Sequence, residues 1–516
     1  MSIKLSYHEV MGALFVLLTV ATSCSNDDLA TKTETKPTTD NTEVAQVNFV
    51  AGHDGTRTSL NYDSGAFFWE DGDRIYIKDD NNTFHASSNA VSGSKVPYFK
   101  FMMPGKYTAN EYTVYYPGQN GTDNQVTIKA SQTQTEPNST QHIGTSGDCG
   151  TGKAIRQPNG QYTFSLTHSA AFLCFEPTYD HSLISTYVTK IEVTSDKPIA
   201  GTYTLNATNG KLTGTGNAKT VTLTTKGTGG NTIGFPMKTK ATGCSAGRAF
   251  MVIAPGTYKL TIKYYLNDPQ TGVNGIVTKY LKSGTYNAND YYDISAALNI
   301  RSYKDDYYTW DAKAEYWAGY KDVQPKTVGR SNSNYPTSAD ANRWFNTAIF
   351  PTAASKTAKD CPNVNECMWY CVKGDPHWDN TTPWTVWGHL YTGGMWFKKA
   401  NVIASDNGKA NAAALKASAP NGKDYAHTQH FETPPNNNRI ESGAPAKRSK
   451  YFFLPAMGSY NDKGTFREFG SIGRYWASTL YHYDKDVSYS LYFKANDVVV
   501  SNLINRSNGL RLWTSE

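Results

Sequence analysis

The sequence predicts a mainly β protein: two antiparallel β-sandwich units in tandem, followed by an α+β unit with long loops. Three observations predict it. Charged residues make up 18% and hydrophobic residues 39% of the 516, and the balance is filled by Thr, Ser, Asn, Gly and 35 Tyr. That composition suits short strands joined by polar turns and argues against helix bundles and coiled coils. Before residue 300, apolar residues recur at period two between glycine-rich turns. Trp69 is the only one of 11 tryptophans before residue 301, so the composition shifts sharply near Ile300. At roughly 150 residues per domain the length gives about three domains. The net charge of +6 is small and not gathered into a basic tract, which excludes nucleic acid as a natural partner. No internal apolar run is long enough for a membrane span.

The chain opens with an address. Val10 to Val20 is an apolar run behind Lys4, and Ala21, Thr22 and Ser23 lead into Cys24. This reads as an export signal. It resembles a bacterial lipoprotein signal covering residues 1–24, which implies lipidation of Cys24 and a membrane-anchored precursor. Ala21 stands where a larger aliphatic residue is usual, and cleavage by the ordinary signal peptidase is the alternative. Asp27 and Asp28 resemble a lipoprotein surface-export signal, which implies the outer membrane. Residues 25–45, with the run TKTETKPTTDN, are polar and aperiodic and read as a flexible linker.

Strand patterning follows. Val47, Phe49 and Ala51 alternate with polar neighbours, as do Thr113 to Tyr116, Val221 to Thr225 and Tyr258 to Tyr265. Turn signals such as PGQNGTDN and GTGGN separate them. Some 250 residues of this pattern exceed one sandwich. The expected units are 46–160 and 161–298, with the break near Gln157 to Gln161. After residue 300, Ser338 to Ala348 has helical spacing with Ser338 as N-cap, and Asn411 to Ser418 is a second helix candidate capped by Asn411. The last unit, 301–516, therefore reads as α+β.

The segments VNFVAGHDGTRTSL and GAFFWEDGDRIYI resemble the opening of the fimbrillin family, pilins of type V fimbriae that derive from lipoproteins. The residues that carry the likeness are Thr56-Arg57-Thr58, Trp69, Gly72-Asp73 and Ile75, then Phe164, His168, Ala171, Ile191 and Gly201-Thr202-Tyr203. The resemblance implies transthyretin-like sandwiches. It also implies assembly with other fimbrial subunits by strand exchange, after a trypsin-like protease removes an N-terminal strand. A sheet that loses a strand exposes unpaired amides and carbonyls beside an apolar groove, and an extended segment from another subunit can fill it. Val47 and Phe49 lie on such a strand, and Arg57 follows in a glycine-rich loop as the candidate processing site. The plain alternative makes Arg57 a surface turn residue.

A second resemblance covers the end of the chain. Leu454-Pro455-Ala456, Tyr475-Trp476-Ala477-Ser478-Thr479 and Gly509-Leu510-Arg511 are similar to the major-paralogous (FISUMP-type) domain. Trp387-Gly388-His389-Leu390-Tyr391-Thr392 resembles its earlier Gly-x-Leu-Tyr-Thr. This implies a C-type-lectin-like shape. A shaft pilin needs free C-terminal strands, whereas here a further domain of some 216 residues follows residue 300. The expectation is a minor fimbrial subunit at the tip. It would bind a host or bacterial surface glycan or protein through its last domain. The alternative is a cell-surface glycan-binding lipoprotein that does not polymerise.

Catalytic motifs are absent: there is no G-x-S-x-G, H-E-x-x-H or P-loop, so the expectation is a non-enzyme without metal or other cofactor. His427 and His430 read as a loop-exposed pair, and Asp305-Asp306 and Asp484 with Asp486 as solvated loop charges. Of seven cysteines, Cys24 is the lipid candidate. Cys361, Cys367 and Cys371 allow at most one disulfide among themselves, with Cys361 joined to either of the others, and Cys174 reads as a buried strand residue. A zinc site of these three with His377 lacks a recognised spacing. Residues 378–397 hold Trp378, Trp384, Trp387, Tyr391, Trp396 and Phe397. Exposed aromatic rings of this kind stack on sugars or fill protein pockets. Four of the six are expected to be core. The ligand-binding candidates are Trp384, Trp387, Tyr391 and Trp396, with Trp384 and Trp396 foremost because they sit in Pro- and Gly-marked turns. Trp476 reads as core.

Overall fold

The computed structural model describes residues 3–5, 46–51, 59–61, 66–179, 183, 185–225, 232–239 and 247–514. Strands dominate, and the longest helix among these residues has ten residues. Cys24, Arg57 and Cys244 lie outside the described residues.

The first unit is built on one sheet of seven strands. Their spatial order is Phe84–Ala86, Tyr76–Lys78, Glu111–Tyr116, Gly150–Arg156, Tyr162–His168, Gln46–Ala51 and Lys100–Pro104. Period-two alternation sends Phe49, Ile77, Phe101, Val114, Phe164 and Leu166 into one core around Trp69. Trp69 meets Phe101 at 5.0 Å and Tyr116 at 5.7 Å, both edge to face. The two outer strands of the sheet approach each other. The Ser88 amide donates to the Met102 carbonyl at 2.8 Å, and the Asn89 side chain spans Lys100 and Met102. The layer thus bends until its outer strands meet through these bonds. Strand twist curls a wide sheet, and meeting edges satisfy backbone groups that open edges would leave to water.

The strand Gln46–Ala51 runs parallel to Tyr162–His168 and antiparallel to Lys100–Pro104. Phe49 stands opposite Tyr162, with the rings stacked at 4.6 Å. The strictly antiparallel order expected from the turns fails here because long connections let distant strands pair. The expected break at 160/161 falls in the hairpin turn before Tyr162–His168. That strand belongs to the first sheet, since Tyr162, Phe164 and Leu166 point into its core. Conversely, Val126, Ile128, Ile143 and Cys149 are buried in the second core.

The second unit does pack two sheets face to face. In one, Ala171–Tyr179 lies between Tyr291–Ala297, which is parallel to it, and Ala249–Ile253, which is antiparallel. The short strand Ile3–Leu5 adds to the outer edge of Tyr291–Ala297. The other sheet runs Ser131–Gln134, Thr220–Thr225, Tyr187–Ser195, Leu260–Asp268, Val273–Tyr280. Leu173, Phe175, Ile191, Val193, Leu223 and Tyr264 fill the space between them. Two buried glutamines join the sheets. Gln132 donates to Val252 O at 2.7 Å and accepts its amide at 3.0 Å, and Gln134 accepts the Phe250 amide at 2.8 Å. Side-chain amides thus complete the backbone pairing of Ala249–Ile253.

The third unit has small sheets around the helix Val364–Lys373. Asn363 and Glu366 close a reciprocal capping box at its start. Ser338 to Ala348 forms turns rather than the expected helix. There Asp340 pairs with Arg343 at 2.7 Å while Arg343 donates to Tyr316 O and Asn334 O, contacts that a helix would break. The second candidate shortens to Ala414–Ala417. The three C-terminal motifs converge: Tyr475 OH donates to Pro455 O at 2.6 Å and the Trp476 amide to Arg511 O at 2.9 Å. Trp476 Nε1 donates to Tyr308 O, Trp310 Nε1 to Ala477 O and Trp513 Nε1 to Trp476 O, all within 2.9 Å. Cys361, Cys367 and Cys371 are buried thiols, not a disulfide pair. Cys367 and Cys371 share one helix, and the Cys371 thiol faces the Val498 carbonyl at 3.3 Å.

Candidate functional site

The aromatic run from 378 to 397 folds into a hairpin and a following strand. Trp384–Val386 pairs with His389–Tyr391 across the two-residue turn Trp387-Gly388. Both turn residues have positive φ, 55° at Trp387 and 78° at Gly388. A tight hairpin favours this conformation at both central positions, and glycine supplies it freely, but a bulky Trp adopts it only under strain. The anchor that holds Trp387 there is Asp305, which accepts its indole N–H at 2.8 Å. Asp305 also meets Lys321 at 3.0 Å. Burial pushes the Asp305 carboxyl up, but the bonds from Trp387 and Lys321 outweigh it and hold its pKa below the usual value.

The ring layer then builds outward. Phe469 packs on Trp384 at 5.6 Å, on Trp387 at 5.3 Å and on Tyr391 at 4.8 Å. Trp384 is 1% exposed and spends its N–H on Gly393 O at 3.0 Å. It is therefore a core residue and not the ligand contact expected from its turn-flanking position; the turn signals were real, but Pro383 beside it is buried as well. Trp387 and Tyr391 are half-buried members of the same layer. Trp396 is half-buried, with Arg448 over its ring at 5.6 Å and its N–H bound to Asp379 at 3.0 Å. Of the six aromatics in the run, only Trp384 and Phe397 are fully buried, fewer than the four expected. Trp476 is fully buried.

This layer meets the second sandwich. Leu390, from the hairpin, is buried in the second unit's core. Asp268, at the end of Leu260–Asp268, is fully buried and gathers four donors or partners. Ser185 Oγ lies at 2.6 Å, the Gln270 amide at 3.0 Å, the Leu390 amide at 3.0 Å and His389 Nδ1 at 3.2 Å. Burial raises the pKa of this carboxyl, and the bonds from Ser185, Leu390, His389 and Gln270 more than reverse it, leaving it below the ordinary value. Nearby, a Cβ on Gly275 would sit 2.8 Å from the Pro383 ring, so the two units approach too closely for any side chain there. The parallel pairing of Arg301–Ser302 with Trp384–Val386 ties the connecting segment to the same hairpin.

The remaining sequence candidates separate widely. Asp305 and Asp306 converge on Lys321, which also meets Glu315 at 2.6 Å, so they form an ion-pair cluster, not a solvated pair. His427 is exposed and pairs with Asp424, while His430 stacks near Tyr425 at 4.7 Å. Among the described residues no group of three His, Cys, Asp or Glu side chains is placed to hold a metal ion. Sequence reasoning passed over Asp268, whose only signal was a turn sequence, NDPQTG. It also passed over Phe431 and Tyr483, loop aromatics that prove to be 86% and 50% exposed. Aromatic residues in polar loop sequence were the available signal.

No family model matches the chain, and no curated protein does. Solved structures similar to it include a candidate cell adhesion protein from Bacteroides ovatus, at 13% identity and TM-score 0.29, over 49% of this chain and 94% of that one. A candidate cell adhesion protein from Bacteroides uniformis is similar at 18% identity and TM-score 0.27, again over 49% and 94%. The tip fimbrial protein Mfa3 from Porphyromonas gingivalis, C-terminally truncated, is similar at 10% identity and TM-score 0.25, over 49% and 94%.

Proposed function

We propose that the protein is an adhesive fimbrial subunit placed at the end of a fibre. It accepts a strand from a neighbouring subunit and displays its C-terminal unit outward. The observation that carries this reading is the position of Gln46–Ala51. It lies inside the first sheet between Tyr162–His168 and Lys100–Pro104, with Phe49 and Ala51 fully buried. Loss of this strand would open a slot lined on both sides by backbone donors and acceptors over an apolar floor, the geometry that strand addition needs. Removal of the front segment would also bare the outer edge of Tyr291–Ala297, which Ile3–Leu5 now covers.

The rear of the chain supports the terminal position. Asp497–Asn505 lies between Val487–Lys494 and Asn436–Asn437 inside its own sheet, so it is already committed to pairing. In this reading the precursor is exported as a lipoprotein through Cys24 and trimmed at Arg57. N-terminal sequencing and mass analysis of protein sheared from cells tests the processing. Immunogold labelling of native fibres tests the placement: gold at fibre ends is expected, and gold all along the shaft would overturn it.

A further inference from the structure

The end of the C-terminal unit remote from the second sandwich carries a second constellation, apart from the aromatic run at 378–397. The strand Gly473–Leu480 gives the direction. Gly473 bridges Gly458, next to Met457, which packs on Trp384 in the layer that faces the second sandwich. Leu480 ends the strand some seven residues on, roughly 23 Å away at strand rise.

At that end Ser478, Thr479, Asn363, Glu366, Lys416 and His427 form most of the polar part of the lining of a cavity of about 190 Å³. Pockets for drug-sized ligands run about 300–1,000 Å³, so this space suits a single small ring. Its polar wall is fixed before anything binds. The Asn363 side chain accepts the Glu366 amide at 3.0 Å and donates to Lys416 O at 2.9 Å, and Glu366 accepts the Asn363 amide at 2.9 Å. Glu366 is almost fully buried, and that burial pushes its carboxyl pKa up.

An aromatic shelf continues from the rim. Pro351 lines the cavity, and its neighbour Phe350 lies 5.6 Å from the His482 ring. His482 lies 4.0 Å from Tyr483, and Tyr483 lies 5.4 Å from Phe431. The loop that supplies Ala426 and His427 to the cavity also carries His430 and Phe431, so one loop serves both cavity and shelf. Both ring nitrogens of His482 are occluded and have no protein partner.

A pyranose offers an apolar C–H face and a girdle of hydroxyls. It therefore needs a flat ring beside fixed carboxylate, amide and hydroxyl groups, and this surface provides both. A protein partner would call for a contiguous apolar patch, whereas here two exposed rings stand among Asp484, Lys485, Glu432 and Lys423. A phosphate site would be uniformly basic, and Glu366 is not.

We propose that this remote end is a saccharide-binding site in which one pyranose ring enters the cavity and the next lies across Tyr483 and Phe431. The proposal rests on the reading of the C-terminal unit as the adhesive part and gives that part its ligand class. The purified full chain is applied to an array of neutral and sialylated oligosaccharides, and the strongest binder is titrated by calorimetry. Phe431→Ala and Tyr483→Ala are each expected to weaken binding about tenfold or more, the loss usual for a central aromatic contact. Both rings are exposed, so folding is unaffected, and Tyr280→Ala, at an exposed ring of the second sandwich, is expected to leave affinity unchanged. Failure of the full chain to bind any glycan, unchanged affinity in the double variant, or equal loss on Tyr280→Ala would overturn the site. Cell adhesion that persists in the double variant sinks this proposal and leaves the adhesive role standing. Glycan binding lost in the double variant, with gold along the whole shaft, leaves this site standing and removes the terminal placement.

Discussion

The carboxylate of Asp268 in the second sandwich accepts the backbone N–H of Leu390 in the C-terminal unit at 3.0 Å. The same carboxylate lies 3.2 Å from His389 Nδ1, and Thr271 Oγ1 donates to the Leu390 carbonyl at 2.9 Å. One fully buried charge thus fixes the hairpin that carries the aromatic layer. The C-terminal unit is thereby docked on the second sandwich rather than joined to it by a linker alone.

Asp268→Asn is expected to loosen this docking. A hydrogen bond to a charged group contributes about 1.5–3 kcal/mol, and the variant weakens several at once. Limited proteolysis around residues 298–303 should become faster, while far-ultraviolet circular dichroism stays the same. Equal proteolysis rates in both proteins would contradict the role.

The same group sets a pH dependence. Its folded pKa lies below the ordinary carboxylate value, so its contribution is fully present above the unfolded pKa of about 3.9 and is lost as pH falls through the folded one. Thermal melts should show the wild-type advantage over Asp268→Asn steady from neutral pH down to about pH 5 and shrinking below about pH 4.

Gln132→Leu is expected to destabilise the second sandwich by roughly 2–4 kcal/mol, because the Val252 amide and carbonyl would both be left buried without partners. Chemical denaturation measures this. A loss below about 0.5 kcal/mol would mean that the strand finds another partner.

Trp387→Phe keeps a ring over Phe469 but removes the donor to Asp305. A stability loss of about 1.5–3 kcal/mol is expected, with glycan and cell binding unchanged, since the layer is used for docking. Reduced adhesion with unchanged stability would restore Trp387 to a ligand-contacting role.

The described cysteines should stay silent toward thiol reagents in the native protein and react only on unfolding. Burial pushes the Cys361 and Cys371 thiols up to about 12, so almost no thiolate is present at neutral pH. Reagent titration of a Cys24→Ser/Cys244→Ser variant with and without denaturant counts them; rapid native labelling of that variant would refute the burial.

Local pattern alone settled a good deal. Alternation at Val47, Phe49 and Ala51, and again from Val221 to Thr225, specified strands because successive side chains point to opposite faces whatever lies beyond them. The tryptophan shift marked where the scaffold ends. The helix Val364–Lys373 was not foreseen: its Asn363-x-x-Glu366 box is a local capping signal, but the cysteines there were weighed only for pairing or zinc. Long-range pairing was out of reach. Only the fold brought the outer strands of the first sheet together through Ser88 and Met102, set Gln46–Ala51 parallel to Tyr162–His168, buried Trp384 with its N–H on Gly393, bonded Leu390 to Asp268, and left Phe431 and Tyr483 in water. Whether an aromatic ring is buried depends on what a distant segment brings against it, and sequence periodicity carries no information about that partner.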